Sequence, residues 1–125
     1  MTWTLLHDRM AFMAEVITAA ETDPEAALAL ADRSSEVSRL FGDEEGLLLS
    51  LRHRWMTMLI AKLDQAAHDG VPAEQARADL ADAEPGLHGL LEIGFRRSLR
   101  VRSLSRAEHA AMDLFGGSSD RQTVA

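Results

Sequence analysis

The chain has 125 residues, 46% of them hydrophobic, and a net charge of −7. That is one domain with enough apolar content for a core, and its acidity disfavours general affinity for nucleic acid or anionic membranes. Cysteine is absent, which excludes disulfides, thiolate metal sites and thiol chemistry.

From the N-terminus, Leu5, Leu6, Met13, Val16, Ile17 and Ala20 recur at three- and four-residue spacing, which predicts a helix over residues 4–22 with Thr4 as its cap. His7, Asp8 and Arg9 interrupt the first apolar run, so no signal peptide is expected. Asp23-Pro24 reads as an N-cap followed by proline in the first turn, opening a short helix over 24–31. A second short helix is expected over 35–41, with the break at Ser34-Ser35 leaving open whether the two are one. Gly42 ends it and Asp43 caps a long central helix, 43–69, which stops at Gly70. Residues 73–83 form another short helix, and Pro85-Gly86 separates it from a long helix over 86–115 that Gly116-Gly117 ends.

No stretch alternates with period two, so the expected class is all-α: an antiparallel bundle of three long helices and two or three short ones. Residues 1–116 make the single domain and 117–125 a flexible tail. Two lengths raise the question of association. A continuous helix over 86–115 is roughly 45 Å long, more than a compact domain of this size holds, so it must bend or overhang. In the central helix, apolar residues from Leu47 to Leu63 cover well over half the circumference, where one bundle face needs an arc of only about 100°. Either that helix is the bundle's centre, or it faces a partner as well. A homodimer is the expected assembly, with Trp3, Trp55, Phe95 and Leu99 as candidate interface residues.

Charge is unevenly placed. Residues 1–95 carry 7 Lys+Arg against 17 Asp+Glu, while residues 96–125 carry 6 against 3. The stretch FRRSLRVRSLSR, residues 95–106, holds most of the excess. On a helical projection its arginines share no face: Arg96 and Arg100 lie together, Arg102 and Arg106 opposite them. A nucleic-acid-reading helix gathers its cations on one stripe. The favoured reading is therefore internal pairing with the acidic remainder of the chain. Arg9, Arg52 and Arg97 each project onto an apolar face, where a guanidinium must be paired. Asp43, Glu44, Glu45 and Glu108 are the candidate partners. The alternative is that these three arginines converge on a small anionic ligand.

Catalytic and metal signatures are missing. The histidines His7, His53, His68, His88 and His109 form only chance-grade pairs with acids, such as Asp64 with His68, and no metal or cofactor is expected. No nucleophile elbow or phosphate loop occurs. The reading leans away from an enzyme. It favours a cytoplasmic helical bundle acting by self-association or by binding another protein, with an anionic-ligand carrier or sensor as alternative and an enzyme of unrecognised class third.

Overall fold

The computed structural model describes the backbone of residues 2–124 and the side chains of residues 2–115. Its elements are α1 (Trp3–Ala20), α2 (Pro24–Asp32), α3 (Ser35–Phe41), α4 (Glu44–Asp69), α5 (Ala73–Ala83), α6 (Pro85–Arg97), α7 (Leu99–Ser103) and α8 (Ser105–Val124). No strand occurs among the described residues. The class is all-α, as the periodicity requires.

Most boundaries follow from local chemistry. Asp23 accepts from the Ala26 N–H and Pro24 opens α2. Ser34 caps α3 through the Glu36 N–H, so the chain over 24–41 is two helices. Asp43 caps α4 through the Gly46 N–H, and Glu44 and Glu45 sit in the positive first turn. Gly42 and Gly70, at φ 86° and 73°, take the left-handed turns that close α3 and α4. At the start of α1 the cap is Thr2, not Thr4, because the Thr2 hydroxyl accepts from the Leu5 N–H.

The largest departure is at the C-terminal end. The helix expected over 86–115 is divided at Ser98 and Leu104 into α6, α7 and the start of α8. Ser98 adopts φ −126°, ψ 123°, caps α7 through the Val101 N–H, and donates its hydroxyl to Glu45 Oε2 at 2.8 Å. No proline or glycine lies over 98–104. A long-range contact to the start of α4 therefore accompanies the bend, and local sequence gave no warning of it. Gly116-Gly117 does not end α8, whose backbone runs through to Val124. The flexible tail expected over 117–125 lies outside the residues whose side chains are described.

α4 is the central helix. It packs on α3, α5, α6, α7 and α8, while α1 packs on α2, α3 and α6. Leu47, Leu51, Trp55, Leu59 and Leu63 of α4 are fully buried with Leu87, Leu90 and Ile93 of α6. Most of the wide apolar arc of α4 is thus covered within one chain, while Ile60 of the same helix is 47% exposed. Trp55, an interface candidate from sequence, belongs to this core. No helix among the described residues is long and apolar enough to cross a membrane.

Candidate functional site

Two polar clusters interrupt the apolar packing, and both involve α4. In the first, α4, α5 and α8 meet around the carboxylate of Glu108. Arg52 Nη2 donates to Glu108 Oε2 at 2.5 Å. Arg77 Nε and Trp55 Nε1 donate to Oε1 at 2.6 and 3.3 Å. The side chains of Arg52 and Glu108 are 8% and 7% exposed, so this ion pair is desolvated. Arg77 lies over the Trp55 ring, which His88 flanks on α6. Burial alone raises a carboxyl pKa. Here the hydrogen bond from Arg77, the charges of Arg52 and Arg77, and the Trp55 N–H more than offset it and hold Glu108 below its ordinary value.

Sequence places Arg52 on an apolar face with Glu108 among its candidate partners, and the structure brings the two together. Arg77 and Trp55 were not legible as their companions, because nothing local in α5 marks Arg77 as facing α8.

The second cluster joins α2, α4 and the α6–α7 corner. Arg96 and Arg97 donate to the Glu25 carboxylate at 3.2 and 2.9 Å, and Arg97 also reaches Glu44 at 3.2 Å. Glu45 receives Ser98 and Arg100. Arg102 turns back to the carbonyls of Phe95 and Arg96 and covers the Phe95 ring. The arginine-rich stretch is therefore matched largely by acidic residues near the starts of α2 and α4. Four of these arginine contacts are exposed ion pairs and each contributes little alone. Together with the Ser98 bond they hold the α6–α7 corner against α4.

Asp32 and Glu44 add an acid pair to this cluster. Burial, then a hydrogen bond with Glu44 and the Glu44 charge, push the Asp32 pKa up to about 6, against the opposing pull of Arg97. Asp32 also ends α2, where the helix dipole disfavours negative charge. A raised carboxyl pKa contributes stability below the unfolded value that is lost as pH rises from about 4 through about 6. Asp32→Asn is accordingly expected to stabilise the chain at pH 7.5 by on the order of 1 kcal/mol, after allowance for solvent screening. The gain vanishes at pH 4. Thermal melts of the two proteins at both pH values check this.

The three arginines proposed from sequence to converge do not share partners. Arg52 pairs with Glu108, Arg97 with Glu25 and Glu44, and Arg9 of α1 lies over the Phe41 ring, 5.7 Å from its centroid. A groove of about 380 Å³ does exist elsewhere, between α1 and α2. Phe12, Val16, Ala19, Ala27, Leu30 and Ala31 line it, with Glu15 and Arg33 among its polar members. Three or more metal-ligating side chains do not gather anywhere among the described residues. The remaining interface candidates all face outward: Trp3 is 79%, Phe95 46% and Leu99 75% exposed.

No protein-family model matches this chain, and no curated protein or solved structure matches it.

Proposed function

We propose that this chain acts by binding and self-associates, with a homodimer as the working assembly and another protein as a second partner class. The observation that carries the reading is the exposed apolar set Phe95, Leu99 and Leu104 around the α6–α7–α8 connection. Large side chains left in water together mark association surfaces more often than isolated ones do. Trp3, Leu6 and Met10 add an exposed apolar stripe at i, i+3 and i+7 on α1. We further read the long helices as antiparallel neighbours, supported by the short connections, and the protein as cytoplasmic, supported by the missing cysteine and the acidic composition. Nucleic acid is disfavoured as a partner, because the ion pairs above engage Arg96, Arg97 and Arg100.

Sedimentation analysis tests the reading. The wild-type chain is expected to dimerise in the micromolar range. Phe95→Ser with Leu99→Ser is expected to weaken that dimer roughly tenfold or more while leaving the melting temperature of the monomer nearly unchanged. A wild-type chain that stays monomeric at millimolar concentration refutes it.

A second reading, a carrier or sensor of a small anionic ligand, draws support from the groove between α1 and α2, where Arg33 adjoins an apolar floor. A thermal-shift series with small and medium-chain carboxylates tests it, and Arg33→Ala is expected to abolish any shift.

A further inference from the structure

The structure points to a specific partner and mode for this association: we infer that the α4–α5 cleft holding Glu108 is a receptor for α8 of a second copy of this chain, so that two copies exchange their C-terminal helices. The inference rests on the self-association just proposed and adds which element crosses over.

Its first support is the form of the anchor. Over residues 105–115 α8 meets the rest of the chain along one narrow face. Glu108, Ala111, Met112 and Phe115, at i, i+3, i+4 and i+7, are turned inward, while Arg106, Ala107, His109, Ala110, Asp113 and Leu114 are exposed. At the centre of that face a single buried carboxylate takes donors from Arg52, Arg77 and Trp55. This is a self-contained recognition unit, a desolvated acid entering a two-arginine socket with an apolar strip beside it. Nothing in it depends on which copy supplies the helix.

The second support is the connection. α6, α7 and α8 are divided at Ser98 and Leu104, yet residues 86–115 read from sequence as one helix, and no proline or glycine lies over 98–104. If Ser98 takes helical angles, α6 continues straight into α7 and α8. Over residues 86–115 alone such a helix is roughly 45 Å long, and it carries α8 away from its own α4 and α5. The bent form keeps the Glu45 contacts to Ser98 and Arg100. The straight form gains uninterrupted helix and delivers α8 to a neighbour. Two packings of one element about a short connection are the usual basis of helix exchange.

Third, the exposed apolar residues lie at this same connection. Phe95 and Leu99 are four apart, and in a continuous helix they share a face. They become the strip along which two straightened helices pair. In the closed chain Leu99 is 75% exposed.

A charge-swap pair tests the exchange. Glu108→Arg destroys the key but keeps the socket. Arg52→Glu with Arg77→Glu reverses the socket but keeps the key. Neither chain can close on itself, and neither can pair with its own kind. Mixed, unfolded and refolded together, they can satisfy both sockets only by exchanging α8. The expected result by native mass spectrometry is a one-to-one heterodimer, melting roughly 10 °C or more above either variant alone. A mixture that melts as the superposition of its components overturns the proposal.

The chain carrying all three substitutions controls for tolerance of the reversed pair. If that chain does not fold, a peptide of residues 105–124 decides instead. It is expected to raise the melting temperature of the Glu108→Ala chain, and the same peptide with E108Q to raise it less; no shift with the Glu108 peptide overturns the exchange. The wild-type chain run alongside separates the two readings. A wild-type dimer without complementation leaves self-association standing and removes helix exchange. A wild-type chain that stays monomeric removes both, because complementation between the variants then shows only that the socket accepts α8 in trans.

Discussion

Glu108→Ala is expected to destabilise the chain by about 3–5 kcal/mol, because it leaves the Arg52 guanidinium buried without its counter-charge. For a domain of this size that is a fall in melting temperature on the order of 10–20 °C. Arg77 contributes less to the loss, since it is 40% exposed and can turn to water. Glu108→Gln is expected to cost less than alanine. Its amide keeps one acceptor but sets an N–H against an arginine, so about 2 kcal/mol is the expected loss.

The informative comparison is the double change Arg52→Met with Glu108→Leu. It removes both charges together, and Arg52 Nε, which is buried without a hydrogen bond, goes with them. A buried ion pair replaced by apolar groups of similar volume is often neutral or stabilising. The double variant is therefore expected within about 1–2 kcal/mol of wild type, far above the single Glu108→Ala. Urea unfolding of the four proteins measures the set. pH adds a sign. A carboxyl held below its ordinary pKa contributes stability above the unfolded value, and that stability is lost as pH falls through the folded value. The double variant should resist acid better than wild type, and a double variant as unstable as Glu108→Ala would contradict the account.

How much of this was readable in the sequence divides along physical lines. Elements bounded by local chemistry were legible: the Asp23 and Asp43 caps, the Gly42 and Gly70 turns, and the short helices over 35–41 and 73–83. So were both members of the buried pair. An arginine on an apolar face requires a counter-charge, Glu108 is among the candidates, and the two meet within one chain. What sequence did not supply was set by distant contacts. The bend at Ser98 accompanies Glu45, 53 residues away. Trp55, in the middle of an arc too wide for one bundle face, looked like a surface shared with a partner, yet the chain wraps α4 with five of its own helices. Periodicity reports how much of a helix is covered. It does not report by whom.

Glycine shows the same division, and it yields the second large effect. Gly86 reads in sequence as a break beside Pro85, but it lies inside the first turn of α6 and is buried against α1. A Cβ added there meets the Ile17 carbonyl oxygen at 2.1 Å and Glu21 backbone and side chain at 3.2 Å. The obstructing oxygen is main chain in a helix and cannot rotate away. Gly86→Ala must therefore push α6 off α1, along the seam where Met13, Ile17 and Leu90 are buried.

The expected loss is about 3 kcal/mol, at the upper end of overpacking costs. It comes despite the roughly 1 kcal/mol by which alanine outranks glycine in a helix. Gly94 provides the control on the same helix. Its added Cβ meets only Val101 and Leu48 side chains at 3.4 Å or more. Gly94→Ala is expected to be neutral or to stabilise by up to about 1 kcal/mol, because propensity is then unopposed. Opposite signs for two glycine-to-alanine changes eight residues apart, measured by thermal unfolding, would place the α1–α6 contact at Gly86. A stabilising Gly86→Ala would mean that the two helices do not approach as closely as their backbones do here.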